Sequence, residues 1–92
     1  MIIAFLLIVC EPARIAELGR RLSDVEGVDE VYSTTGSKDI IAVVRVPDLE
    51  ALATLVTERV AALPGIRRTD THLAIRSYGR ADVAAAYDIG VD

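Results

Sequence analysis

Apolar residues fill the run from Ile2 to Cys10, so an extended chain there would be apolar on both faces. Such a strand needs cover on both sides. Glu11-Pro12 then opens a helix, because proline suits a first helical position where its missing N–H is not needed. Ile15, Leu18, Gly19, Leu22 and Val25 recur at helical spacing, with Arg14, Glu17, Arg20, Arg21 and Asp24 on the remaining surface. Gly27 supplies the left-handed conformation that ends a helix. From Gly27 to Val46 two β-rich runs flank the polar turn Thr35-Gly36-Ser37-Lys38-Asp39, the pattern of a β-hairpin. In the second run Ile40, Ala42, Val44 and Val46 line one face and Ile41 and Val43 the other, so this strand too is apolar on both sides.

Pro47-Asp48 ends that strand, and Asp48 is a good N-cap for a second helix with Glu50 in its first turn. Leu49, Leu52, Ala53, Val56, Val60 and Leu63 form the expected buried stripe, and Pro64-Gly65 stops the helix. A last strand is expected from Ile66 to about Arg76, with Thr71, Leu73 and Ile75 on one face and His72, Ala74 and Arg76 on the other. Residues 1–77 then make one domain, and residues 78–92 a tail in which Ala81 to Tyr87 suit a short helix. The order β-α-β-β-α-β is the ferredoxin-like split βαβ arrangement, of class α+β: a four-stranded antiparallel sheet with two helices on one face. Val25-Glu26-Gly27-Val28 and Leu63-Pro64-Gly65-Ile66 repeat the same helix exit in the two halves.

Right-handed crossovers put both helices on the same side of the sheet and leave the other side bare. Apolar residues on that side would form a patch that soluble monomers rarely carry. The expected resolution is a homodimer, sheet against sheet, a dimeric α+β barrel. The other occupant, the tail, is slight: four of its nine hydrophobic residues are alanines.

Composition narrows the function. Of 92 residues 52% are hydrophobic but only 4% aromatic, so the core is aliphatic. A net charge of −4 with a single lysine, Lys38, argues against direct nucleic-acid binding, which needs many phosphate-neutralising cations. The lone Cys10 excludes an intrachain disulfide and offers no Cys-based metal motif, which fits a cytoplasmic protein. The N-terminal run lacks a basic n-region and is far shorter than the roughly 20 apolar residues of a bilayer span.

Candidate chemistry is sparse. In the hairpin turn, Gly36 lets backbone N–H groups approach an anion, and the Asp39 carboxylate suits an ammonium group, together the two ends of a free amino acid. The turn is equally explained by a positive φ at Gly36 and turn amides bonded to Asp39, and by itself it favours that plainer reading. The hydroxyls of Thr69 and Thr71 suit a small polar ligand or simply a solvated strand. His72, the only histidine, has Asp70 near it but no nucleophile or second acid at a motif spacing. No phosphate loop, zinc spacing or serine-hydrolase elbow occurs, and no cofactor or metal is implied.

Glu26-Gly27-Val28, Val31-Tyr32, Thr35-Gly36-Ser37-Lys38-Asp39-Ile40 and Leu63-Pro64-Gly65-Ile66-Arg67-Arg68-Thr69-Asp70-Thr71, in this order, resemble the effector-binding (RAM-type) domain of the Lrp/AsnC family of transcriptional regulators, over about residues 2–76. The resemblance implies a βαββαβ fold that dimerises through its sheets, dimers that assemble further, and amino-acid effectors bound between dimers. It implies a ligand site of Thr35, Gly36, Ser37, Asp39, Thr69 and Thr71. The position before the turn aspartate is often aromatic in the family and is Lys38 here. Full-length members carry an N-terminal helix-turn-helix, whereas this chain starts its first strand at Ile2. It therefore reads as a stand-alone effector module without its own DNA-binding domain, a partner for full-length regulators. Two other readings compete. One is a small monooxygenase-like enzyme, with His72 or Tyr32 lining an enclosed cavity. The other is an oligomerisation domain that binds no ligand.

Overall fold

The computed structural model describes residues 1–79. The chain runs β1 (Ile2–Cys10), a 3₁₀ turn (Pro12–Arg14), α1 (Ile15–Ser23), β2 (Val28–Ser33), β3 (Ile40–Val46), α2 (Leu49–Thr54) continued by a π-helical segment (Leu55–Val60), and β4 (Ile66–Leu73). The strands form one antiparallel four-stranded sheet in the order β2-β3-β1-β4, so the two doubly apolar strands, β1 and β3, are its centre. The ferredoxin-like arrangement expected from the apolar pattern is the one observed. The tail helix expected at residues 81–87 lies outside the described residues.

The core is the layer between sheet and helices. Ala4, Leu6, Ile8 and Cys10 of β1 and Ile40, Ala42, Val44 and Val46 of β3 point into it, against Leu18 and Leu22 of α1 and Leu52, Leu55 and Val60 of the second helical segment. Fully burying each Leu, Ile or Val contributes roughly 1.5–3 kcal/mol. Gly27, at φ +98°, makes the sharp exit from α1 into β2; a Cβ there would sit 2.8 Å from Leu55 Cδ1 and 2.9 Å from Val46 Cγ1. The Asp48 cap forms as expected, its Oδ1 accepting the Ala51 N–H at 2.8 Å.

Two local expectations are corrected. The buried stripe of the second helix is not Leu49, Leu52, Ala53, Val56, Val60 and Leu63 in uniform α-helical phase. Leu49 is 59% exposed, Ala53 is exposed, and Leu55 is buried instead. The π-helical segment widens the turn, so that Leu55 and Val60, five residues apart, both face the core. In a regular α-helix they would diverge by about 140°. The last strand ends at Leu73 rather than near Arg76. Ala4 pairs with Leu73, and the Ala74 N–H donates to the Ile3 C=O at 2.9 Å. Beyond that point the ladder with β1 does not continue, and Ile75 stands 92% exposed.

The outer face of the sheet carries Ile3, Phe5, Leu7 and Val9 of β1 and Ile41 and Val43 of β3. None of them is buried, and Phe5 is 38% exposed. Among the described residues no element packs on this face.

Candidate functional site

The hairpin turn is a bonded structure. The Thr34 N–H donates to the Asp39 C=O, and the Thr34 hydroxyl to the Lys38 C=O, each at 3.0 Å. The Asp39 N–H donates to the Ile8 C=O at 2.9 Å, and the Asp39 carboxylate accepts the Cys10 N–H through Oδ2 at 2.9 Å. Asp39 therefore ties the turn to the end of β1, where the strand runs out of ladder partners. Among the described residues the other oxygen, Oδ1, accepts no hydrogen bond. Gly36, at φ +101°, has open space around its Cα, so an approaching group meets bare backbone.

A second tie crosses to β4. The Lys38 ammonium meets Asp70 Oδ2 at 2.7 Å, and Arg68 Nε lies 4.0 Å from the same atom. The hydrogen bond and charge of Lys38 hold the Asp70 carboxyl below the usual aspartate range. Lys38 and Asp70 were not among the residues expected to form the site. The signal available was that the chain's only lysine stands inside the turn.

Of the expected site residues, Thr35, Gly36 and Ser37 are exposed at the hairpin tip, and Asp39 is half-buried beneath them. Thr69 lies opposite Ile8, which lies opposite Ile40 at the base of the turn. Two interstrand spacings, about 10 Å, thus separate Thr69 from β3. Thr69 and Thr71 sit in the rows of Ile8 and Leu6, on the helix side of the sheet, whereas Asp70 is on the outer side. The fold brings the turn and Thr69 to one end of the sheet. Among the described residues no hydrogen bond joins Thr35, Gly36 or Ser37 to either threonine of β4.

The remaining titratable candidates do not form a catalytic group. Tyr32 and His72 stand on opposite edge strands of the open outer face, three interstrand spacings, or about 14 Å, apart. The Tyr32 hydroxyl donates to the Glu30 carboxylate, and that bond raises its pKa. Cys10 is 1% exposed, and burial, followed by the Asp39 carboxylate, pushes its thiol up, away from a reactive thiolate. Among the described residues no three of His, Cys, Asp and Glu gather as a metal site, and no helix is long and apolar enough to cross a membrane.

The family model for the Lrp/AsnC ligand binding domain matches residues 3–83. The chain belongs to the Lrp/AsnC family. This Lrp/AsnC domain is 34% identical over 84 residues to an uncharacterised HTH-type transcriptional regulator of Pyrococcus abyssi (strain GE5 / Orsay), a match covering 89% of the chain and 53% of the relative. It spans about half the length of the curated relatives it matches. The crystal structure of TTHA0845 from Thermus thermophilus is similar over 87% of this chain and 100% of that one, with 44% identity and a TM-score of 0.83. A feast or famine regulatory protein of Mycobacterium tuberculosis, solved in complex with L-methionine, shares 26% identity and a TM-score of 0.72, over 87% of this chain and 54% of that one. The fold and family expected from the sequence are the ones found, and the relatives are transcriptional regulators. Among the described residues both helices are crossovers packed on the sheet, and neither belongs to a helix-turn-helix.

Proposed function

We propose that this chain is an effector-sensing and assembly module of transcriptional regulation, that it pairs with itself through the outer face of its sheet, and that it binds a free amino acid or a similar small effector. One observation carries the reading. A hairpin turn with open backbone at Gly36 is tied by Asp39 to β1 and by Lys38 to Asp70 of β4, in a ligand-binding domain of this family. Backbone N–H groups around Gly36 and Ser37 meet the carboxylate of the effector, and the free oxygen of Asp39 its ammonium. Thr35, Thr69 and Thr71 supply hydroxyls, and the effector is completed by contacts from a neighbouring pair of subunits. The methionine bound to the mycobacterial relative supports an amino acid as the class of effector.

Pairing hides Ile3, Phe5, Leu7, Val9, Ile41 and Val43, and pairs associate into larger rings alone or with full-length regulators of the family. The module acts in the cytoplasm, contacts DNA only through such partners, and is not an enzyme. The monooxygenase-like alternative is not favoured, because the family and the curated relatives are regulatory.

Titration calorimetry with the twenty amino acids, one at a time, tests the reading. Saturable binding of at least one of them is expected, weakened about tenfold or more by Thr69→Ala, the loss of one hydrogen bond to a charged group. No heat from any of them at millimolar concentration contradicts it.

A further inference from the structure

A hollow lies between the exit of α1 and the second helix, at the end of the sheet away from the hairpin. β3 runs about 20 Å from Ile40, beside the turn, to Val46, in the floor of the hollow. Its volume is about 450 Å³, within the range of small-molecule sites, roughly 300–1,000 Å³. Glu26 and Gly27 wall it on one side, and Ala51, Thr54, Leu55 and Arg59 on the other. Ala51, Leu55 and Arg59 follow one another at the spacing of one helix face, so an aliphatic wall ends in a guanidinium. Leu55 and Arg59 belong to the π-helical segment, and such segments recur at functional sites. Gly27 keeps the opposite wall close. Its C=O accepts the Arg45 N–H at 2.9 Å, and a side chain there would strike Leu55 and Val46.

Polar groups at this hollow are unmatched among the described residues. Arg45, at the rim, is neutralised by Asp29 at 2.9 Å, but neither Glu26 nor Arg59 forms an ion pair. The half-buried Thr54 hydroxyl makes no hydrogen bond, whereas that of Thr57 returns to the Ala53 C=O at 2.6 Å. A guanidinium and a hydroxyl beside an aliphatic wall suit a carboxylate on a short apolar chain. Glu26, across the hollow, sets two limits. It repels a second negative charge, which disfavours dicarboxylates and phosphates. It also accepts a hydrogen bond from a donor next to the carboxylate.

We propose that this hollow is a second small-molecule site, separate from the hairpin turn, for a short aliphatic 2-hydroxy or 2-amino carboxylate. Arg59 and Thr54 hold the carboxylate, Glu26 accepts from the 2-substituent, and the chain lies on Ala51 and Leu55. The site stands whether or not the hairpin turn binds an effector.

NMR titration of the isotope-labelled full chain tests it, read at the backbone amides of Gly27, Thr54 and Arg59 and, for the hairpin, at Gly36. The probes are L-2-hydroxyisovalerate, L-valine and isovalerate, which share one carbon skeleton and differ in the 2-substituent. Saturable shifts at Gly27, Thr54 and Arg59 are expected at millimolar concentration with the hydroxy acid, the amino acid or both. Whichever binds identifies the donor that Glu26 takes. Isovalerate, which lacks that donor, should bind about tenfold more weakly or worse. Arg59→Gln, at an exposed position, should keep the fold and weaken binding by about tenfold or more. Shifts confined to Gly36 overturn this site and leave the reading of the hairpin standing. Shifts at the hollow that Arg59→Gln leaves unchanged, or isovalerate binding as tightly as the other probes, overturn the assigned chemistry. No shift at Gly27, Thr54 or Arg59 with any probe overturns the proposal.

Discussion

Lys38 and Asp70 join at 2.7 Å across 32 positions of sequence, tying the tip of the hairpin to the edge strand β4. In a fold whose helices all lie on the other face, this pair fixes the turn relative to the sheet from the outer side.

The pair has a pH signature. Lys38 depresses the Asp70 pKa in the folded state, so its contribution is present above the ordinary aspartate range and fades as pH falls through the lowered value. Lys38→Met should raise the Asp70 carboxyl pKa towards the ordinary aspartate range. NMR titration of the Asp70 carboxyl carbon in both proteins checks this. An unchanged titration in the variant means that the pair does not form in solution.

Asp39 is expected to matter for stability even without a ligand. Asp39→Ala leaves the Cys10 N–H without its acceptor, a loss of about 1–3 kcal/mol. Ser37→Ala, at the exposed tip, should stay within about 0.5 kcal/mol of the original. Urea unfolding at matched protein concentration distinguishes them; equal effects would place the anchor elsewhere.

Much of this was legible in the chain. Asp48 caps α2 because a short acceptor before a helix has one obvious donor, and Gly27 turns where only glycine fits. What escaped were relationships that depend on topology or on an irregular helix. The Asp39–Cys10 bond spans 29 residues and is visible only once β3 lies beside β1. The burial of Leu55 follows from a π-helical segment that no 3.6-residue period announces. Thr71 and Leu73 share a face, as expected, but which side of the sheet they occupy depends on the pairing of β4 with β1.

Two glycines with opposite surroundings make a paired test. Gly19 lies in α1 with nothing within 4 Å of a built Cβ, so Gly19→Ala should stabilise the protein, by up to about 1 kcal/mol. Gly27→Ala meets Leu55 and Val46 at under 3 Å with a positive φ, and should destabilise by about 1–3 kcal/mol. Thermal unfolding of both variants reads the two signs.

A charge in the apolar middle of the outer face should separate the subunits without unfolding them. Phe5→Glu places a carboxylate at a position that is exposed in one subunit and buried in a pair. Circular dichroism is expected to be unchanged while association weakens at least a hundredfold, the scale of about 3 kcal/mol for an unpaired buried charge. Loss of helical signal together with mass would show that Phe5 supports the subunit itself.

Sedimentation equilibrium of the unmodified chain, from micromolar to millimolar concentration, bears most directly on whether the apolar outer face is covered by another copy. A mass of twice 9.9 kDa or a multiple of it is expected throughout that range. A mass of 9.9 kDa at every concentration, with the chain folded, would contradict it.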